Sequence, residues 1–313
     1  MKSFPKSFRT PSFLALAVAA ALAGCAATQD AGHSAMNMVK SATGQAQVVR
    51  QDVAPALYEV AYSPSEDVVY AVSAGNPKDP ASGVKSKLFK LDPETLAVKA
   101  EIELPKPGYG LALDDEAHRL YIVDTRGGTL MVFDTTVGQV TSSVTMPPVL
   151  DAQGKPEKIE YREIVVDKAN NRLYLPAMSY HDSKLQVVNL DTLTVERTIP
   201  GFNFGATGIS MDSGAGKLYV SNLMGQLFVV DIGTLAITDR FEVQGDQLLN
   251  LVVDHDNKRL LAVDQGFDRL DVVRKERGGL NYQTRTQGNQ VLALDPSSGK
   301  VLQNIKVGTQ PVA

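Results

Sequence analysis

Arg274, Lys275, Arg277, Tyr282 and Arg285 gather four cations and an aromatic ring within twelve positions of an otherwise acidic chain. Cations meet phosphates and a tyrosine ring stacks on a base, which is how single-stranded nucleic acid is commonly held. Gly278 and Gly279 sit between them and let the backbone approach a ligand closely. The competing reading is a solvated charged loop. The absence of tryptophan, the best stacking residue, favours that plainer reading.

A second set is scattered in sequence and meets only when internal repeats are aligned. Glu59, Gly110, Glu163, Gly208 and Asn250 then fall at one level, with Tyr109 beside Gly110 and Arg162 beside Glu163. Two carboxylates and an amide around one opening could supply oxygen ligands to a hard divalent cation, the only cofactor the sequence suggests. The alternative is a hydrated polar opening in which Arg162 neutralises a neighbouring carboxylate. Other chemistries find no footing. His33, His118, His181 and His255 are dispersed, and no pair has the spacing of a zinc site. No phosphate-cradling Gly-Lys-Ser/Thr loop and no nucleophile elbow is present, so no catalytic residue is assigned.

The repeat that aligns these residues begins near Tyr58, Tyr109, Arg162, Thr207 and Leu249. Each copy runs from an apolar strand through an acidic turn to a strand of the RLYI type, then a third strand, a turn and a fourth. In the second copy Leu111, Leu113, Leu120 and Ile122 alternate with smaller or polar residues about Asp114–His118, the pattern of a half-buried hairpin. Four short strands repeated at this length predict a β-propeller blade, so the fold class is all-β, with five blades visible. Asp92, Asp134, Asp191, Asp231 and Asp295 recur at the third turn and are read as turn formers. Tyr70, Tyr121, Tyr174 and Tyr219 recur on the second strand and are read as packing residues.

In a propeller the second-to-third and fourth-to-first connections share one face. The long connections, residues 75–87, 147–160, 178–184 and 273–290, all belong to that face, and Lys78, Lys85 and Lys87 lie in the first of them. Variable loops on a rigid scaffold are where binding residues concentrate, so the ligand is expected there.

The first residues have a different character. Lys2, Lys6 and Arg9 precede an apolar run from Phe13 to Leu22, too short to span a bilayer, which reads as a secretory signal peptide over residues 1–24. Leu22-Ala23-Gly24-Cys25 resembles a lipobox, and the chain's one cysteine, Cys25, stands where lipidation would occur. Residues 25–56 read as a flexible tether and residues 57–313 as the propeller domain. Residues 1–24 carry three basic and no acidic side chains, so without them the formal charge of −4 becomes −7. A chain of that charge gains no global attraction to nucleic acid or anionic lipid. No transmembrane helix is expected in the mature chain; the membrane is met through the N-terminal lipid alone.

The strings LYVS, LYIV and LYLP, followed by LDPETLAV or LDPSSGKV, resemble the YVTN-type propeller repeat. The succession YEVAYS, YGLALD, REIVVD, ATGISMD and LNLVVD is similar in particular to the exported YncE-like β-propellers of bacteria, from about Leu57 onward. The resemblance implies seven blades. Five are present, and Pro311-Val312-Ala313 reads as the opening of a sixth, so the sequence is expected to stop short of the family's full ring. It also implies a periplasmic place, at the outer membrane if Cys25 is lipidated and soluble otherwise. The function expected is noncatalytic binding of an envelope protein or polymer on the insertion-rich face. Two alternatives stand beside it: single-stranded nucleic-acid binding through the basic 273–290 loop, and a metal-dependent, lactonase-like hydrolase at Glu59, Glu163 and Asn250.

Overall fold

A computed structural model of the chain describes residues 50–76, 78–266, 270–280 and 282–312. The signal peptide, Cys25, the tether up to residue 49 and Ala313 lie outside the described residues. Within them, five antiparallel four-stranded blades form a ring. Blade one holds β1 (Leu57–Ser63), β2 (Val68–Ser73), β3 (Lys87–Leu91) and β4 (Val98–Glu103). Blade two holds β5 (Leu111–Asp114), β6 (Arg119–Val123), β7 (Thr129–Asp134) and β8 (Gln139–Thr145). A short strand β9 (Glu160–Tyr161) leads into blade three, which holds β10 (Val165–Asp167), β11 (Arg172–Met178), β12 (Lys184–Asn189) and β13 (Val195–Ile199). Blade four holds β14 (Ala206–Asp212), β15 (Lys217–Asn222), β16 (Gln226–Asp231) and β17 (Ala236–Glu242). Blade five holds β18 (Leu248–Asp254), β19 (Arg259–Asp264), β20 (Gln290–Leu294) and β21 (Val301–Lys306). A helix, α1 (Leu270–Gly278), lies between β19 and β20. Pro311 and Val312 form no strand. Among the described residues no helix is long and apolar enough to cross a membrane.

The period-two alternation of the middle strands explains the packing. In β6, Leu120 and Ile122 face blade one, where they bury against Val68, Tyr70 and Val72. Tyr121 and Val123, the residues between them, face blade three and meet Leu173, Leu175 and Ala177. Blade four repeats the division: Leu218 and Val220 pack toward Tyr174 and Val187, while Tyr219 packs toward Leu251 and Leu260. Each middle strand thus contributes two apolar faces, and successive residues supply alternate interfaces. Tyr70, Tyr121, Tyr174 and Tyr219 are all buried packing residues.

The last part of the segment expected to be a tether is fixed to the first blade. Val53 and Ala54 pack against Ala71, Phe89 and Leu91. The Pro55 carbonyl accepts from Ser73 Oγ at 2.7 Å, and the Ala56 carbonyl accepts from Ala74 N at 3.0 Å.

The third turn is corrected in one blade. Asp92, Asp134, Asp231 and Asp295 accept backbone N–H groups two or three residues ahead, at 2.7–3.1 Å. In blade three the same task falls to Asn189, whose Oδ1 accepts the N–H groups of Asp191 and Thr192, both at 3.0 Å. Asp191 instead accepts from Asn171 Nδ2 at 2.7 Å. An amide oxygen closes the turn as a carboxylate does, so alignment by charge picked the wrong member of the pair. Asn189→Ala is expected to cost about 1 kcal/mol and Asp191→Ala less, measured by thermal melting of the two variants beside the parent.

Candidate functional site

Three of the four long connections on the insertion-rich face meet one another. Residues 146–159, 179–183 and α1 come from three different places in the chain and converge beside blade three. Arg277 Nη1 donates to Tyr180 Oη at 2.9 Å, and the guanidinium lies 5.0 Å from that ring's centre. Tyr180 in turn stacks at a tilt on Phe204, with 5.6 Å between centroids. Gly278 makes the approach feasible, because a Cβ there would fall 2.7 Å from the Phe204 ring. Between the insertions run two hollows of about 470 and 260 Å³, which share Asp151, Glu157 and His181 and so form one groove. Glu157 and Lys184 pair at 3.1 Å within it, and Ser179 Oγ donates to the same carboxylate. Asp182 closes the neighbouring loop by accepting the N–H groups of Gly201 and Asn203 at 3.1 Å. Lys158, Arg277 and Tyr180 line the smaller hollow.

The expected basic loop is ordered differently from a solvated loop. Residues 270–278 are helical, and Arg274 on that helix is fully buried. Its guanidinium reaches Asp271 at 3.2 Å, Asp246 at 3.5 Å and the carbonyl of Leu223, and lies 4.3 Å from the Tyr282 ring centre. Tyr282 Oη sits 2.8 Å from Asp246 and 3.0 Å from the Met224 carbonyl, and burial with Asp246 beside it pushes that phenol's pKa up. Arg285 donates to the carbonyls of Met224 and Gly245 at 2.7 and 3.2 Å, and its backbone N–H donates to Asp246. Arg274, Tyr282 and Arg285 therefore fasten the insertion to the turns of blade four. Lys275, Arg277 and Arg285 are exposed, so the outward-facing charge of the set is theirs. The hub of the arrangement, Asp246, was not foreseen; an acid flanked by glycine in a short inter-strand turn gives no signal of its own. Lys85 and Lys87, in the first blade's insertion, pair with Glu103 and Glu101 at 2.7 and 2.6 Å.

At the mouth of the ring the aligned level proves to be a spatial one. Asn250 Nδ2 donates to Glu59 Oε2 at 3.1 Å, joining blades five and one. Glu163 Oε2 accepts the Ile209 N–H at 2.8 Å, while its Oε1 is buried without a partner. Gly110 and Gly208 allow inner strands to close up: a Cβ would stand 2.4 Å from the Arg162 carbonyl oxygen in one case and 2.6 Å from that of Leu249 in the other. Arg162 turns to Glu160 at 2.9 Å and to Tyr58 Oη at 3.2 Å, and the Tyr58 and Tyr109 rings meet edge to face at 5.2 Å. The guanidinium thus serves Glu160, not the adjacent Glu163. Burial first, and then the charge of Glu59, raises the Glu163 pKa well above the ordinary carboxyl range. Burial raises that of Glu59 as well. Among the described residues no three His, Cys, Asp or Glu side chains gather as a metal set. Glu59, Glu163 and Asn250 would have to serve with two carboxylates and one amide.

Two outcomes follow from these contacts. Arg274→Ala leaves Asp246 buried against a lost cation and should cost about 3–5 kcal/mol in denaturant unfolding, whereas Lys275→Ala should leave stability unchanged. The raised Glu163 pKa means the native state binds the extra proton, so this group's contribution is complete below its unfolded pKa and declines as pH rises toward the folded one. Glu163→Gln is expected to gain stability relative to the parent as pH increases from 4.5 upward. A stability difference that stays constant with pH would contradict that reading.

No family model matches the sequence. The uncharacterized protein YncE of Salmonella typhi is 24% identical over 291 residues, covering 84% of this chain and 80% of the relative. YncE of Escherichia coli K12 is 24% identical over 241 residues, covering 75% of this chain and 66% of the relative. Among solved structures, a chain of the nidogen/laminin complex superposes with a TM-score of 0.59 at 15% identity, over 82% of this chain and 84% of that one. At that identity the likeness is one of fold. The four-stranded blades and the repeat that builds them make the chain a β-propeller, and its sequence is similar to the YncE proteins over most of its length.

Proposed function

We propose that this chain is an exported, noncatalytic binding protein of the bacterial envelope that takes its ligand in the groove of the insertion-rich face. The observation that carries the reading is the convergence of three separate insertions on one groove, pinned by Arg277 on Tyr180 and by Glu157 on Lys184. Insertions that merely decorate a scaffold have no reason to interlock, whereas a binding surface must be held in shape before its ligand arrives. The walls mix Asp151, Glu157 and Asp182 with Lys158, Lys184 and Arg277, which suits a polar ligand such as a peptide or polysaccharide better than a uniform polyanion. The leader and Cys25 support placement at the periplasmic side of the envelope, held by a lipid.

Single-stranded nucleic acid finds less support. Tyr282 already has Arg274 and Arg285 against its ring, 4.3 and 5.4 Å from its centre, and its hydroxyl on Asp246, so the ring serves the fold before any base. The test is an array of peptides, envelope polysaccharides and single-stranded oligonucleotides, read with the parent chain and with Ala152→Trp, which fills the groove from its exposed rim. At least one peptide or polysaccharide should bind the parent and weaken by about tenfold or more in the variant. Retention unaffected by the variant would remove the groove as the site. Salt-sensitive oligonucleotide binding abolished by Lys275→Ala/Arg277→Ala would move the function to nucleic acid.

A further inference from the structure

We infer that the cavity between blades five and one, open at the mouth of the ring, binds a small organic cation, its ammonium head against Glu163 and Glu59 and its hydrocarbon body along Ile164, Ile209 and Leu251. The site is separate from the insertion groove, and the inference stands without it. The cavity has a volume of about 410 Å³, within the range of about 300–1,000 Å³ common to small-ligand sites. Its lining carries two carboxyls and one amide and is otherwise aliphatic, with no cationic side chain.

Three features choose the ligand class. First, Glu163 is 7% exposed and lines the cavity, yet its Oε1 has no hydrogen-bond partner. A buried acceptor left open is costly unless something else supplies the donor. Second, Glu59 and Glu163 face each other's charge, and the nearby Arg162 is occupied by Glu160 and Tyr58. A bound cation lets both acids ionise together; a neutral ligand does not. Third, Ile164, Ile209 and Leu251 are buried, whereas Val60 and Val252 are 58% and 53% exposed. Acids and aliphatic side chains thus share the inner part of the cavity, with Val60 and Val252 at its open edge, which fits a head-and-tail molecule. A hard divalent cation takes about six to eight oxygen ligands and would meet aliphatic walls here.

Isothermal titration of the full-length chain with n-hexylammonium, hexanol, hexanoate and calcium tests this. The ammonium should bind at least about tenfold more tightly than hexanol, and Glu163→Gln should remove that advantage while leaving hexanol binding unchanged. Equal binding of ammonium and alcohol overturns the proposal, as does preference for hexanoate or for calcium. So does an absence of ammonium binding up to about 10 mM. Should Glu163→Gln fail to fold by circular dichroism, the head-group comparison on the parent and Glu59→Gln decide the matter.

Discussion

Every blade of this ring is obliged to bury two faces against two neighbours, and the rest of the structure follows from that constraint. A sheet with one wet face could have used polar residues at alternate positions. Here the second and third strands are apolar at nearly every position, as in RLYIV and TLMVFD, because odd and even residues serve different interfaces. The first strands of blades one, three and five carry polar side chains at the mouth, while glycine in blades two and four lets the backbones come together. Outer strands such as Gln139–Thr145 face solvent and tolerate serine and threonine. The chemistry-bearing residues are confined to the two places that escape double burial: the mouth of the ring and the connections.

The longest insertion shows how a connection becomes a surface. Asp246 is completely buried, and it collects Arg274, Tyr282 and the Arg285 backbone from a segment that leaves the sheet after β19 and returns at β20. With that charge satisfied, α1 crosses blade four and sets Arg277 against Tyr180 of blade three. A buried ion pair adds little net stability compared with apolar packing, but it tolerates only one arrangement. Placement of the helix is what the network achieves.

The fold was legible because it is written five times, and period-two alternation survives even where individual residues vary. The level of Glu59, Glu163 and Asn250 was legible for the same reason: equivalent positions in a repeat become neighbours around an axis. What alignment does not carry is the direction of a charged side chain. Arg274 and Lys275 are adjacent in sequence and alike in type, yet one is buried and the other exposed, because helical geometry separates their directions and Asp246 waits on one side only. Charge alone points to Asp191 as the turn former, whereas Asn189, two positions earlier, supplies the same kind of oxygen at the right spacing. Three of the long connections do meet, but the walls of the groove between them depend on contacts between segments far apart in sequence, which no local pattern records.

Buried apolar clusters join blade one to two, two to three, three to four and four to five. Among the described residues no such cluster joins five to one; there the inner strands meet through Asn250 and Glu59, 191 positions apart. Within a blade, strands pair with their immediate neighbours in sequence, and loops that short close quickly. The described blades are therefore locally assembled units, and blades five and one touch through a hydrogen bond beside aliphatic side chains, without a shared apolar core. Among the described residues, the contact of blade five with blade one is thus the weakest between neighbouring blades and the first to part under load.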